Sequence, residues 1–114
     1  AHHRVLYFIG KKNNITIKDL LSILQITKQS LSRVLNQLVT EKYVNLSSGD
    51  DKRTKILSLS RKGSELKDQL SNIQISRIKN VIKDADEIDI NGFKKILYEM
   101  IDEENKKKFN NLNI

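Results

Sequence analysis

The spacing of apolar residues changes within the first half of this chain, and the change restricts the folds that the chain can adopt. Across residues 27–42, apolar residues recur every three or four positions, as they do on the buried face of a helix. Across residues 43–59, apolar and polar residues alternate on both sides of a turn at 48–53, which is the pattern of a β-hairpin. Helical spacing then returns from Ser60, which can cap a helix, to about Lys83. The sequence therefore predicts a helix, a hairpin and a long helix in that order.

Two shorter helices are predicted before this block, and one more after it. The apolar run at 4–9 stops at Gly10, and glycine commonly follows the end of a helix. Thr16 can cap the start of a second helix that ends near Gln25, and Asp19 completes a pattern that resembles a capping box. After a short break, the last helix carries a single apolar stripe and is followed by a charged end.

This order of elements is typical of a winged helix-turn-helix. Two helices are joined by a short turn, polar residues cover the outer face of the second helix, and the hairpin that follows is the wing. The predicted fold class is mainly α with a small β-hairpin wing. Within one structural domain, residues 1–60 are expected to form a DNA-binding lobe, and residues 61–114 to form dimerisation helices. The chain begins with Ala1, and we expect a native N-terminal segment to precede it.

The outer face of the second helix carries groups that can read a DNA duplex. Gln and Asn can pair with adenine through two hydrogen bonds, and Arg can pair with guanine in the major groove. Because helix N-termini favour phosphate, Thr27 and Lys28 are expected to contact the DNA backbone. The residues predicted to bind DNA from this helix are Thr27, Lys28, Gln29, Ser30, Ser32, Arg33 and Asn36.

The tip of the predicted wing carries Asp51, Lys52 and Arg53, which complete the predicted DNA-binding set. A thin hairpin can reach the neighbouring minor groove, where narrow A/T-rich segments attract Arg. Asp51 is expected to hold Arg53 in place by a charge-assisted hydrogen bond. The same three residues are also compatible with an exposed turn whose charges are only solvated.

The positive charge of the chain lies entirely in its first part. Residues 1–63 contain twelve Lys or Arg and four Asp or Glu, whereas residues 64–114 contain nine and ten. A basic segment joined to a neutral one is typical of a protein in which the first part binds nucleic acid and the second part makes other interactions. An ordinary basic protein with lysines on solvated faces would give the same overall charge.

The composition also excludes several classes of function. Without cysteine there can be no disulfide, thiolate metal site or thiol redox switch. Two histidines at the N-terminus make a metal site unexpected, and no cofactor is predicted. No apolar run approaches the roughly 20 residues of a membrane span, so we expect a cytoplasmic protein with no membrane partner. No phosphate-cradling glycine loop, catalytic triad or paired carboxylates are apparent, so no enzymatic activity is predicted.

Six segments, taken in order and at their spacing, resemble the multiple-antibiotic-resistance regulator (MarR) family. The match runs from about His2 to the end of the long helix, and the resemblance implies that the family's first helix would precede it. The segments are RVLYFI at 4–9, TIKDLLSIL at 16–24, ITKQSLSRVLNQL at 26–38, EKYV at 41–44, DKR at 51–53 and LSLSRKG at 57–63.

The resemblance implies a transcriptional regulator that binds a pseudo-palindromic operator on double-stranded DNA as a homodimer. Repression is the family default, and many members release DNA when a small organic effector binds. The long helix supports dimerisation independently, because its apolar arc of about 200° is wider than one neighbour requires. The residues expected at the dimer interface are Ile75, Ile78, Ile82, Phe93, Ile96, Leu97, Met100 and Ile101.

Two alternatives remain open at this level. The chain could be a winged-helix module that binds protein and not DNA, although its basic, amide-rich second helix argues against that role. The last two helices could close a monomeric core, although they present more apolar surface than a small lobe can cover.

Overall fold

The computed structural model describes residues 2–12, 14–51 and 53–111. Lys52, one of the predicted DNA-binding residues, lies outside the described residues. The elements in chain order are α1 (His2–Lys11), β1 (Ile15–Thr16), α2 (Ile17–Leu24), α3 (Lys28–Thr40), β2 (Val44–Ser48), β3 (Lys55–Leu59), α4 (Arg61–Ile82), α5 (Glu87–Glu99) and α6 (Glu103–Asn111). This mainly helical chain with a small β wing confirms the predicted fold class.

The chain divides into two compact units, Ala1–Ser71 and Asn72–Ile114. The buried apolar core lies in the first unit and draws on α1, α2, α3 and the sheet. Its fully buried side chains belong to Val5, Leu6, Ile15, Leu20, Leu31, Val44 and Leu57. The sequence analysis divides the chain at residue 60 by role, with DNA binding before it and dimerisation after it, and that division stays a prediction.

The sheet has three antiparallel strands in the order β1-β3-β2. The predicted hairpin is formed by β2 and β3, with Val44 opposite Leu59 and Ser48 opposite Lys55. The additional strand β1 places Ile15 opposite Leu57. Sequence spacing does not indicate β1, because it has only two residues and its pairing partner lies some forty residues away along the chain.

The prediction that α1 ends before Gly10 is wrong, because the helix continues to Lys11. Gly10 does not adopt a positive φ, so it does not act as a left-handed helix terminator. A side-chain Cβ at this position would lie 3.0 Å from Leu59 Cδ1 and 3.1 Å from Lys67 Cδ. The glycine therefore allows α1 to pack closely against its neighbours.

The second unit contains a helix that the sequence analysis treats only as a charged end. Helix α6 begins at Glu103, and within this unit Lys106 Nζ lies 3.2 Å from Glu103 and 3.5 Å from Glu99. The same ammonium lies 5.1 Å from the ring centroid of Tyr98. These contacts link α6 to α5 through the Lys106 ammonium. The sequence of α6 has only one apolar residue, which is why the apolar periodicity does not reveal this helix.

No helix in the described part of the chain is both long and apolar enough to cross a membrane.

Candidate nucleic-acid interface

Helix α2 begins at a capping box that the sequence predicts. The backbone N–H of Asp19 donates to Thr16 Oγ1 at 3.1 Å, and the backbone N–H of Thr16 donates to Asp19 Oδ2 at 3.4 Å. Lys12 Nζ lies 3.2 Å from the same carboxylate. Burial raises the pKa of the Asp19 carboxyl, but the hydrogen bonds from Lys12 and Thr16 outweigh it and leave that pKa below its ordinary value.

The turn between α2 and α3 is short and has a left-handed residue at its start. Gln25 caps α2 with φ 53° and ψ 43°, and its backbone N–H donates to the carbonyl of Leu21. Thr27 then caps α3, because its Oγ1 accepts the backbone N–H of Ser30 at 3.1 Å. The Thr27 hydroxyl also lies 2.9 Å from Ser30 Oγ. Both hydroxyls thus take part in forming the start of α3.

Helix α3 is oriented by its apolar face. Leu31, Val34, Leu35 and Leu38 are buried in the core of the first unit. Because these positions occupy one side of the helix, the polar residues between them point outward. All seven residues of α3 and its cap that the sequence predicts to bind DNA are exposed.

Five of these side chains are available to a ligand. Within the described residues, the side chains of Lys28, Gln29, Ser32, Arg33 and Asn36 make no hydrogen bond or ion pair. Together with Thr27 they line one open surface groove of about 800 Å³. The groove therefore presents unpaired ammonium, guanidinium, amide and hydroxyl groups side by side.

The wing tip is closed by backbone hydrogen bonds. The N–H of Gly49 donates to the carbonyl of Thr54, and the N–H of Thr54 donates to the carbonyl of Asp51, both at 2.9 Å. The expected hydrogen bond between Asp51 and Arg53 is present at 3.0 Å, with the backbone N–H of Arg53 as its donor. The Asp51 carboxylate thus orders the turn, while the Arg53 side chain stays exposed and without an ion-pair partner among the described residues.

One neighbour of this surface is not predicted from the sequence. His2 Nε2 lies 2.7 Å from Oε1 of Gln37, which is on the exposed side of α3. No local pattern relates two residues that are 35 positions apart, so sequence reasoning has no means of finding the contact.

Comparison with known proteins identifies the architecture of the first unit. Residues 1–54 match the model of the MarR family. Over 103 residues, the chain is 38% identical to the HTH-type transcriptional regulator PetP of Rhodobacter capsulatus. Over these residues the chain is similar to the MarR family. The aligned region covers 90% of this chain and 62% of PetP, so the chain spans less than two thirds of that relative.

Solved structures share the MarR-family fold. The structure of Streptococcus pneumoniae FabT in complex with DNA has a TM-score of 0.75 and 21% identity, and it covers 87% of this chain and 70% of FabT. A mutant of MarR from E. coli complexed with operator DNA has a TM-score of 0.75 and 20% identity, with coverage of 89% and 74%. A SlyA-like transcription regulator from Listeria monocytogenes has a TM-score of 0.77 and 21% identity, with coverage of 99% and 71%.

The second unit contains most of the strongly exposed apolar side chains. Among the described residues, ten large hydrophobic residues are strongly exposed, nine of them lie between Ile73 and Met100, and α5 buries no residue. The exposed fraction is 59% for Phe93 and 76% for Met100. Among the residues predicted at a dimer interface, Ile82 and Ile101 are half-buried and the other six are exposed.

No group of His, Asp or Glu residues in the described ranges could hold a metal ion.

Proposed function

We propose that this chain acts as a sequence-specific DNA-binding transcriptional regulator that recognises a pseudo-palindromic operator as a homodimer. The observation that carries the proposal is the groove on α3, where exposed donors and acceptors have no partner in the described residues. In a folded protein, polar groups without partners are free to bind a ligand. The regularly spaced donors and acceptors of a DNA major groove suit a single exposed helix.

The chemistry of α3 favours base recognition over simple charge attraction. Gln29 and Asn36 carry the amides that pair with adenine, and Arg33 carries the guanidinium that pairs with guanine. Lys28 lies in the first turn, where an ammonium and the helix N-terminus both favour phosphate. The groove thus combines positioning contacts with groups that can discriminate between bases.

The wing supplies the second contact of the proposal. Arg53 is exposed at the hairpin tip, and the Asp51 carboxylate stabilises the backbone that carries it. We assign Arg53 to the minor groove beside the helix contact, where the negative potential of A/T-rich DNA attracts guanidinium groups.

Dimerisation is proposed from the exposed apolar residues of the second unit. Nine of the strongly exposed large hydrophobic residues of the described chain lie between Ile73 and Met100, among them Ile78, Phe93 and Ile96. Such a concentration of exposed apolar side chains is typical of an interaction site. Residues 64–114 have almost no net charge, so a second copy could cover this surface without repulsion. Two lobes joined in this way would read two half-sites, which is why a palindromic operator is expected.

Selection of bound duplexes from random DNA, followed by titration of the selected consensus, tests the proposal. We expect a palindromic consensus, with binding that weakens steeply as salt rises because counterions are released from phosphates. Arg33→Ala should weaken binding about tenfold or more and relax the preference at one base position in each half-site. Fluorescence anisotropy with labelled duplexes measures both effects.

Arg61→Ala is the matched control, because Arg61 is also exposed and cationic but does not line the groove. If the selection enriches no consensus sequence, the proposal is contradicted, and the alternative of a winged-helix module that binds protein is favoured. Equal losses for the two variants would contradict the assignment of base recognition to Arg33.

A cytoplasmic location, repression as the sign of regulation and response to a small organic effector belong to the same proposal, and they rest on the likeness to the MarR family.

A further inference from the structure

The chain segment that leaves α3 is held by the first turn of α4. Ser60 Oγ donates to the carbonyl of Lys42 at 2.6 Å, and the backbone N–H of Ser60 donates to the carbonyl of Tyr43 at 3.0 Å. Lys62 Nζ donates to the carbonyl of Glu41 at 3.1 Å. Three consecutive carbonyls after the end of α3 therefore accept hydrogen bonds from two residues at the start of α4.

Ser60 performs two roles at this junction. Its Oγ accepts the backbone N–H of Gly63 at 3.0 Å, so the same hydroxyl that donates to the chain after α3 also caps α4. The Lys62 ammonium lies 4.3 Å from the ring centroid of Tyr43, which adds a cation–π contact to its hydrogen bond.

The two backbones also approach closely at this junction. Gly63 is buried, and a Cβ placed on it would overlap the carbonyl oxygen of Tyr43. Only glycine therefore fits at this position without moving one of the two segments. Just before this point, Lys42 adopts a left-handed conformation with φ 64°. Ser60, Lys62, Gly63 and the carbonyls of residues 41–43 form what we call the α3–α4 clasp.

We propose that Ser60, Lys62 and Gly63 are positioning residues for DNA recognition, acting through the clasp on the orientation of α3. This proposal rests on the proposed function, because it names further residues that affect DNA recognition by the groove on α3. None of the three residues lines the groove on α3, so we assign their effect on DNA binding to the placement of α3.

Geometry explains why one end of α3 matters for the groove at the other. The thirteen residues of α3 extend over about 20 Å at 1.5 Å per residue. A tilt of about 10° around the clasp would therefore move the start of α3 by about 3 Å. Such a shift exceeds the narrow range of distances over which a hydrogen bond forms. The buried leucines would keep α3 packed, so release of the clasp is expected to misplace the helix more than to unfold it.

The test compares specific and non-specific DNA binding in two matched pairs of variants. Ser60→Ala removes the hydroxyl of the clasp, and Ser60→Thr keeps it. Lys62→Met removes the clasp ammonium, and Arg61→Met removes one charge at the adjacent exposed position. Each variant is titrated by anisotropy with two duplexes, one carrying the consensus that the wild-type chain selects from random DNA and one with that consensus scrambled.

We expect Ser60→Ala to weaken binding of the selected duplex about tenfold, with scrambled-duplex affinity and the salt dependence unchanged. Ser60→Thr should restore selective binding, and Lys62→Met should lose more selectivity than Arg61→Met. Thermal unfolding establishes that each variant is folded at the assay temperature. If Ser60→Ala does not fold, the comparison of Lys62→Met with Arg61→Met decides the question.

The outcomes separate this inference from the proposed function. If the wild-type chain selects no consensus, the proposed function fails and the positioning role falls with it. If the wild-type chain is selective and the folded clasp variants keep that selectivity, the positioning role alone is overturned. Equal losses of affinity for the selected and the scrambled duplex would likewise overturn the positioning role, because displacement of α3 should spare contacts that do not depend on the DNA sequence.

Discussion

At the scale of single residues, hydrogen bonds made by individual side chains define where the elements of the lobe begin. Asp19 shows this best, because its carboxylate accepts from the Thr16 backbone and from Lys12 and lies in the first turn of α2. Thr16 and Asp19 lie three residues apart, so this capping box can be predicted from the sequence. The ion pair with Lys12 depends on the turn before α2 and is apparent only in the structure.

The lowered pKa of Asp19 predicts a pH-dependent contribution to stability. Because the folded-state pKa lies below its ordinary value of 3.8, this contribution is present above that value and is lost as the pH falls through the folded-state pKa. Asp19→Asn should therefore lower the free energy of unfolding at neutral pH, and the difference from wild type should shrink in acid. Urea denaturation of both proteins at about pH 7 and about pH 3 measures this difference in the free energy of unfolding.

Asp50→Asn is the control, since it removes an exposed carboxylate that accepts no hydrogen bond in the described residues. If Asp19→Asn lowered the free energy of unfolding by the same amount at both pH values, the stabilising role assigned to the ionised Asp19 carboxylate would be contradicted.

At the scale of elements, α3 combines two roles on opposite faces. Its buried leucines hold it in the core, and its exposed polar side chains line the groove. The periodicity of apolar residues predicts this division from the sequence alone. The periodicity does not predict the orientation of the helix, because that orientation depends on the clasp with α4 and on the packing of α1 and the sheet.

Loss of the α3 cap should destabilise the lobe. Thr27→Ala removes the acceptor of the Ser30 N–H and should lower the free energy of unfolding by about 1 kcal/mol. Ser32→Ala is the control, because it removes an exposed hydroxyl of the same helix that has no partner in the described residues. Denaturation monitored by circular dichroism compares the two variants. A cap variant as stable as the control would show that Thr27 is not needed to begin α3.

At the scale of the whole molecule, the two units differ in how they bury apolar surface. The first unit encloses a core of fully buried side chains, whereas the α5 helix of the second unit buries none. Charge divides the chain in a similar way, because the excess of Lys and Arg lies before residue 64. We interpret this contrast as a self-sufficient DNA-binding lobe followed by helices that need a second copy.

Disruption of the exposed apolar surface should dissociate the proposed dimer. We expect the wild-type chain to sediment as a dimer at tens of micromolar, and Ile96→Glu to sediment as a monomer, because a charge on that surface would have to be desolvated. Lys95→Glu places the same side chain at the neighbouring position and should leave the dimer intact. A monomeric wild-type chain at that concentration would overturn the dimer proposal.

Local sequence patterns predict the order of the main helices, the hairpin, the caps at Thr16, Thr27 and Ser60, and the polar face of α3. These features depend on residues within a few positions of one another, so spacing and residue type are enough to predict them. A short terminal helix held by charged contacts escaped this reasoning, because it has no apolar stripe.

Which distant segments meet is apparent only in the folded chain. The pairing of β1 with β3, the contact of His2 with Gln37 and the approach of Gly63 to Tyr43 join residues that no local pattern relates. Gly10 and Gly63 illustrate the reason. A glycine in a sequence indicates a backbone without a side chain, but the neighbour that requires that space is determined by how the whole chain packs.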